Sequence, residues 1–493
     1  MSGPNIPFGQ SKTNVDEELR ELGYMTEDLE AGAIERTTAR SASHSTFPFD
    51  RLPHEITAEI FWNCLVHEGE TVWMSSGNAP LLLSRVSSSW RGLALSMPQL
   101  WASVGILLRH PNDVDPSICA HITNTWLERS GILPLTVAIE YEEIDYLAQS
   151  PTTPAVLDAV LSVVCSYSSR WRNVAITTWL PVSFPQLEIL PLLRSFHLQG
   201  FRFSPGHHAI SLPFSGSPRL TQLSWPYPFD PPTHPQIAWS QISHLCLNYR
   251  TTFFAALETI RLCPQLENFK TVLTKEDRGD RLPTTVQHRC LRTLRISCPP
   301  ECGPFLDPLI LPNLREFGLT LFPGIGGREP FLALLTRSNC KLYKLELYRC
   351  AFEPFIECLE QESFKTIKEL KISSSPKFTD DKLIRLTVSP SPPAPRVLLP
   401  KLTHLRLHWC LQASTGLLAE MVLSRRHLGD GHETERLQCL HVMDHRLYEM
   451  DIRPIEDEVG DGFMAGFDMN FLIKRNGDFI TIRHWEGFAA FDG

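Results

Sequence analysis

Metal binding is the chemistry that one pair of histidines and one pair of cysteines in the sequence could support. His404 and His408 lie four residues apart, so on a strand they would share one face. Cys298 and Cys302 bracket Pro-Pro-Glu, but no second cysteine pair follows at the spacing of a zinc site. Solvated histidines and free thiols explain both patterns more simply than a bound ion does. We therefore expect no metal site and no cofactor.

Catalytic motifs offer no stronger candidate. The chain has neither a G-x-x-x-x-G-K-[ST] phosphate loop nor a G-x-S-x-G nucleophile turn, and the glycines at 324, 326 and 327 stand alone. The run HETER at 432–436 lacks the second histidine of a zinc-protease helix. We expect the protein not to be an enzyme. The alternative is an enzyme whose site lies in the long loops at 389–397 or 424–435.

Composition narrows the class of protein further. The formal net charge is −9, which is not the basic balance of a nucleic-acid binder. The apolar stretches are too short for a membrane span, and the acidic first 30 residues lack the apolar core of a secretory signal. The 13 cysteines are expected to be reduced thiols. We expect a cytoplasmic or nuclear protein that binds neither nucleic acid nor membrane.

A repeat runs through more than half of the chain and must position whatever site the protein has. Its pattern is apolar-x-x-apolar-x-apolar, and units begin 22 to 28 residues apart except for two final intervals of 35. That period is typical of leucine-rich repeats. The units beginning at Leu342 and Leu402 extend to the full pattern L-x-x-L-x-L-x-x-C. The units begin at Trp171, Leu193, Leu220, Ile242, Leu266, Leu291, Leu314, Leu342, Ile367, Leu402 and Leu437.

One short strand per unit explains this pattern, because alternate apolar residues would then point into a core that neighbouring units share. A helix or irregular segment would return behind the sheet, as at 253–262 and 331–335. The cysteines at 350 and 410 are expected to fill tight turns, which is a structural role. The expected fold class is α/β: a small all-α domain, then a leucine-rich-repeat solenoid whose curved parallel sheet carries helices or irregular segments on its convex side.

A small helical unit precedes the repeats. Pro53 suits the first turn of a helix, and Ile56, Ile60 and Phe61 follow on one face. A second apolar series runs from 82 to 94. The unit has more apolar residues than its own small core needs, which is typical of a surface that binds another protein.

The helical unit resembles the F-box. The runs LPHEITAEIF at 52–61 and LLSRVSSSWRGLA at 82–94 are similar to the family's L-P-x-E-[IL]-x-x-E-[IL]-[FL], paired leucines and V-C-x-x-W-[RK]. The stretch between Leu65 and Leu82 is longer than in a minimal F-box, and Ser87 replaces the usual cysteine. Together with 79–86, 98–101 and 126–130, the pattern looks like the expanded F-box/leucine-rich-repeat families of mushroom-forming fungi.

The resemblance implies a substrate-recognition subunit of a Skp–cullin–F-box ubiquitin ligase. The F-box would dock on a Skp-type adaptor, and through it on a cullin, while the repeats would bind an unknown protein substrate. The alternative is a leucine-rich-repeat binding scaffold with no link to a ligase. The residues that the resemblance places against the Skp adaptor are Leu52, Pro53, Ile56, Ile60, Leu82, Leu83, Val86 and Trp90.

The substrate side follows from strand geometry, because residues between the inner leucines project from the opposite face of the sheet. Several of these side chains are cationic, so an acidic or phosphorylated segment is one hypothesis for the partner. A solvated sheet face is the alternative. The substrate-facing candidates are Arg295, Lys344, Glu346, Tyr348, Lys371, His404, Arg406, His408 and His441.

These patterns divide the chain into five parts. A disordered N-terminal segment is expected at 1–47, an F-box-like helical domain at 48–104, and a connecting region with a degenerate first repeat at 105–170. The leucine-rich repeats are expected at 171–450, with a C-terminal cap or hairpin at 451–493. The hairpin is predicted from Asn476-Gly477, which lies between two apolar runs.

Overall fold

A computed structural model describes most of the chain between residues 52 and 484. The described residues are 52–65, 71–110, 115–143, 155–178, 182, 184, 187, 190–200, 217–227, 237–275, 283–321, 327–350, 358–374, 377–388, 397–428, 434–444, 451–455, 468–475 and 478–484. The predicted disordered segment at 1–47 lies outside the described residues, as do residues 389–396 and 429–433 of the two predicted loops. The prediction of a loop from 424 onward is wrong at its start, because residues 424–426 end the helix Leu417–Arg426. The chain divides into two compact units, Met1–Phe229 with His234–Ala238, and Asp230–Thr233 with Trp239–Gly493.

Three short helices open the first unit: α1 (His54–Asn63), α2 (Leu81–Val86) and α3 (Ser88–Leu95). Helices α2 and α3 are separate because Ser87 between them is extended. The Oγ of Ser87 accepts the backbone N–H of Trp90 at 3.1 Å and caps the start of α3. Ser87 therefore has a structural role, because it caps α3.

Aromatic residues hold these helices together and join them to the rest of the first unit. Phe61 of α1 packs against Trp90 of α3, with ring centroids 4.9 Å apart. Trp101 is fully buried, and its Nε1 donates a hydrogen bond to the carbonyl of Ala94 at 2.9 Å. Its ring also lies 4.9 Å from Trp126, which belongs to the next helix along the chain. Burial of this aromatic cluster anchors the helices on the segment that follows.

Five parallel strands complete the first unit and pair in chain order. The sequence predicted one degenerate repeat in 105–170, but two strand–helix segments are present there. The strand that was missed is the first, because VGILL at 104–108 is nearly continuous in apolar residues and shows no alternation. The elements are β1 (Ser103–His110), α4 (Pro116–Arg129), β2 (Leu135–Glu143), α5 (Ala155–Ser166), β3 (Trp171–Thr177), β4 (Ser195–Gln199) and β5 (Gln222–Trp225).

The second unit continues the pattern of one strand for each repeat. Its strands are β6 (His244–Thr252), β7 (Asn268–Thr274), β8 (Val286–Gln287), β9 (Thr293–Cys298), β10 (Leu309–Ile310), β11 (Glu316–Leu321), β12 (Lys344–Tyr348), β13 (Glu369–Ser373), β14 (His404–His408), β15 (Cys439–Met443), β16 (Asp468–Arg475) and β17 (Asp478–His484). Its helices are α6 (Phe253–Leu262), α7 (Gly303–Leu306), α8 (Arg328–Ser338), α9 (Asp380–Leu386) and α10 (Leu417–Arg426).

These strands form a mostly parallel sheet in the order β6-β7-β9-β11-β12-β13-β14-β15-β16-β17, while β8 and β10 pair separately. Strands β16 and β17 are antiparallel on either side of residues 476–477, which confirms the predicted hairpin. The α/β class and its large parallel sheet, expected from the repeat, are also present. In the described part of the chain, no helix combines the length and apolar character needed to cross a membrane.

The sheet from β6 to β17 is called the second sheet below, and the inner apolar positions of the repeat form two buried rows across it. Leu294, Phe317, Leu345, Leu370, Leu405 and Leu440 lie in register on successive strands, and each is almost fully buried. The next row contains Ile296, Leu319, Leu347, Ile372, Leu407 and Val442. Since no single unit could bury these side chains alone, the stacking of units supplies the core.

Two turn cysteines extend this order beyond the strands. The Cys350 thiol lies 3.3 Å from the carbonyl oxygen of Leu319, and the Cys410 thiol lies 3.6 Å from that of Ile372. Both thiols are buried, and burial raises the pKa of each to about 12. Each thiol therefore donates to the strand of the preceding unit, and the predicted structural role of the turn cysteines is confirmed.

Candidate protein-binding surfaces

The residues predicted to face a Skp adaptor differ sharply in exposure. Pro53 is exposed and lies just before α1, where its carbonyl oxygen accepts the first backbone hydrogen bonds of the helix. Ile56 is 50% exposed on α1, while Leu82 and Val86 are 46% and 56% exposed on α2. Leu82 and Val86 are four residues apart, so they lie on one side of their helix. These four side chains are apolar and open to a partner.

The other four predicted residues are less accessible. Leu52, Ile60 and Trp90 are half-buried, and part of the Trp90 ring packs against Phe61. Leu83 is only 5% exposed, which makes it a core residue of the helical unit. Its neighbour Leu82 points outward because successive residues of a helix are turned by about 100°. The prediction that Leu83 faces a partner does not fit this burial.

The predicted substrate-facing residues do share one face of the second sheet. Along β14, His404, Arg406 and His408 are half-buried, while the residues between them are buried. In register across the strands, a polar row runs Lys270, Arg295, Gly318, Glu346, Lys371, Arg406 and His441, and we call it the polar row. A flanking row contains Thr293, Glu316, Lys344, Glu369 and His404.

Ion pairs neutralise the middle of this face. Glu346 accepts from Arg295 Nε at 3.1 Å and lies 3.3 Å from Lys344 Nζ. Arg295 also pairs with Glu316 at 3.0 Å, and Lys344 with Glu369 at 3.1 Å. Burial alone would raise the pKa of Glu346, but Arg295 and Lys344 outweigh it and hold that pKa below the usual range. Burial likewise opposes the two carboxylates at Lys344, and they hold its pKa above the usual value.

Sequence reasoning missed two positions of the polar row, Lys270 on β7 and Gly318 on β11, and the second shapes the face. Gly318 has no side chain where its neighbours have Arg295 and Glu346, and a cavity of about 280 Å³ lies beside it. Its walls include Lys270, Lys371 and Tyr348, the last of which is 39% exposed. Alignment of the repeat units would have found Gly318, because it stands between Phe317 and Leu319 at the position that Glu346 occupies in the next unit. The hydroxyl-bearing residues that line the cavity are Ser297, Thr320, Tyr348 and Ser373.

The far end of the polar row is cationic. Lys371 and Arg406 are neighbours in register, and His441 follows Arg406 on β15. Burial, and then the charges of Lys371, His441 and Arg406, lower the pKa of His408 to about 4. His408 is therefore neutral near pH 7. Glu369, the carboxylate of β13 on this face, is engaged by Lys344.

The sites considered for metal chemistry give no cluster. Among the described residues, no group of three or more histidine, cysteine or carboxylate side chains is placed to hold an ion. Cys298 and Cys302 are both buried, and a hydrogen bond between their thiols raises the pKa of Cys298. The two free thiols therefore hydrogen-bond to each other in the buried core.

Comparison with known proteins adds no relative. No protein-family model matches the chain, and no curated protein matches it.

Proposed function

We propose that the protein is the substrate-recognition subunit of a Skp–cullin–F-box ubiquitin ligase. The helices α1 to α3 would dock on a Skp-type adaptor, and the polar face of the second sheet would bind the protein substrate. The repeats would form a leucine-rich-repeat solenoid. This function needs no cofactor and would place the protein in the cytoplasm or the nucleus.

The exposure of the motif's apolar residues is the observation that carries this proposal. Ile56, Leu82 and Val86 are each about half exposed, although the unit has a core that could bury apolar side chains. Leu82 and Val86 lie on one side of α2, and an exposed apolar patch is typical of a surface that binds another protein. All three residues also stand at motif positions that the F-box uses to meet the adaptor, and Pro53, three residues before Ile56, is exposed as well.

The second sheet supports the substrate-binding half of the proposal. Its strands are short, parallel and in register, so their polar side chains form a continuous polar face supported by buried leucines. The protein would act by proximity, because a substrate held on this face has its lysines at high effective concentration near the enzyme that carries ubiquitin. No reacting group of its own is required for that role.

Co-purification with a purified Skp adaptor tests the proposal. The wild-type chain should capture the adaptor, and the double variant Ile56→Asp, Leu82→Asp should lose capture while remaining folded. Ile132→Asp is the matched control, because Ile132 is apolar and 92% exposed but lies outside the three helices. Capture that survives the double variant, or that Ile132→Asp abolishes equally, would contradict the proposed docking surface.

Failure of the folded wild-type chain to capture the adaptor would favour the alternative, a repeat scaffold with no link to ubiquitin transfer. Turnover of a substrate by the chain alone would instead favour the remote alternative, an enzyme with a loop-borne site. Circular dichroism of each variant separates lost binding from lost folding.

A further inference from the structure

The polar row carries unpaired cations at two separate places. Within the described part of the chain, neither Lys270 nor Lys371 forms an ion pair, and both line the cavity beside Gly318. Between them in register lie Arg295, Gly318 and Glu346. The face therefore presents a positive charge, a neutralised centre and a second positive charge.

The centre cannot serve as the anion site, because its charges are already matched. Arg295 is engaged by Glu316 and Glu346, and Glu346 is engaged in turn by Arg295 and Lys344. An anion placed there would meet the ionised carboxylate of Glu346. Attraction for a negative side chain is left to the two ends.

The strand spacing sets the distance between those ends. From β7 to β13 there are four steps across the sheet, since β9, β11 and β12 lie between them. At about 4.8 Å for each step, the backbones at Lys270 and Lys371 are roughly 19 Å apart. An extended peptide rises about 3.3 Å for each residue, so about six residues cover that span.

We propose that this face recognises an extended protein segment carrying two carboxylate side chains, Asp or Glu, about six residues apart. One carboxylate would meet Lys270 and the other Lys371, which lie at the two ends of this stretch of the polar row. The intervening residues would cross the neutral pair, with one side chain in the cavity at Gly318. This inference names a substrate class and so rests on the proposed function.

The isolated lysine at position 270 favours a carboxylate over a phosphate at that end of the row. In register, Lys270 has Cys246 on one side and the already engaged Arg295 on the other. One lysine is a single point charge and suits a monoanion, whereas phosphate is recognised best by forked arginines or by several donors. The 280 Å³ cavity between the two ends leaves room for an intervening side chain.

Selection from a displayed library of random 16-residue peptides on the purified full-length chain is the first test. The expected result is enrichment of peptides with two acidic residues five to seven positions apart. Enrichment without that spacing, enrichment of basic peptides, or no enrichment would overturn the inference. Selection on the Lys270→Met, Lys371→Met variant should lose the spacing preference, whereas Lys401→Met should keep it, because Lys401 is exposed but lies outside β14.

A double-mutant cycle on one selected peptide assigns each contact. Changing either acidic residue to Gln should weaken binding to the wild type roughly two- to fivefold, as expected for exposed ion pairs. The same change should have no further effect in the lysine variant that has lost its partner. Equal losses in both backgrounds would overturn the pairing. If a variant fails to fold, a binding constant that does not weaken with added salt on the wild type would overturn the ionic contacts on which the pairing depends.

Two further arms separate this inference from its neighbours. In one arm, phosphoserine replaces both acidic residues of the peptide, and the preference for a spacing of about six residues should not increase. Binding of the phosphoserine peptides without binding of the Asp or Glu peptides would overturn the carboxylate assignment. Adaptor capture is measured on the same samples. Adaptor capture without peptide selection would support the proposed function and overturn this inference. Peptide selection without adaptor capture would support the acidic-peptide surface and contradict the link to the ligase.

Discussion

Arg295 on β9 donates to Glu346 on β12 at 3.1 Å, although β11 lies between their strands. The contact passes over Gly318, the residue of β11 in register with both. A side chain at that position would occupy the path of the arginine. The absence of one therefore couples two strands that are not neighbours in the sheet.

Gly318→Ala should break this coupling. A β-carbon there would lie 2.9 Å from Cγ of Arg295, closer than such atoms pack, so the arginine must move. We expect a loss of about 1 kcal/mol in the free energy of unfolding, because the displaced ion pair outweighs the lower entropy of the unfolded alanine chain. Urea denaturation measures it. In an Arg295→Ala background the same substitution should cost nothing, and an equal cost there would contradict the proposed clash.

Leu82 and Leu83 should respond in opposite ways to the same change. Leu83→Asp places a charge in the core of the helical unit and should unfold it, since an unpaired buried carboxylate costs several kcal/mol. Leu82→Asp should leave thermal stability within about 0.5 kcal/mol of wild type, because that side chain is 46% exposed. Thermal denaturation followed by circular dichroism distinguishes the two. Similar losses would mean that the burial of these two residues has been assigned wrongly.

Arg425 should be intolerant of substitution. It is fully buried and donates to the carbonyl oxygens of Leu386 at 2.7 Å, Leu398 at 2.7 Å and Leu399 at 3.2 Å. Burial lowers its pKa to about 10, so it stays charged near neutrality. Arg425→Met leaves these carbonyls without their donor and should cost about 3 kcal/mol or more of unfolding free energy. Arg453→Met, at an exposed arginine, is the control and should change little.

His408 should make stability depend on pH in a defined window. Its pKa is lowered to about 4 in the folded chain, against about 6.5 when unfolded. Between those values the unfolded chain binds the extra proton, so stability falls as pH drops from about 6.5 to 4. His408→Gln should remove roughly 1–2 kcal/mol of that dependence, after allowance for solvent screening. Urea denaturation at pH 7 and pH 4.5 measures the difference, and identical pH profiles would contradict it.

The buried turn cysteines should resist alkylation in the folded protein. Cys350 and Cys410 have raised pKa values of about 12, and thiolate is the reactive form. Iodoacetamide at pH 8 should label the exposed Cys64 readily and leave these two unmodified, as read by peptide mass spectrometry. Rapid labelling of either residue in the native protein would contradict the burial of these thiols.

The repeat made the second sheet predictable, because the spacing of its inner leucines indicates both where the strands lie and how they pair in register. Leu345, Leu370 and Leu405 pair as the aligned pattern requires. The first strand, Ser103–His110, was missed because its apolar run shows no alternation.

Exposure within the helical unit was less predictable than its helices. The motif treats Leu82 and Leu83 alike, yet their burial depends on the phase of a six-residue helix against its neighbours. Likewise, the contact of Arg295 with Glu346 joins residues 51 positions apart across a strand that contributes no side chain. The local sequence pattern around either residue carries no information about a contact between strands that are not adjacent.

The alternation along β12, β13 and β14 has a consequence for how such a chain can change. Inward leucines hold the architecture, and the side chains between them meet the outside, so the two tasks fall on different residues of the same strand. Substitutions at the outward positions can change the charge and shape of this face while the buried rows stay constant. A chain built this way can change the chemistry of its exposed face one strand at a time, without repacking the core.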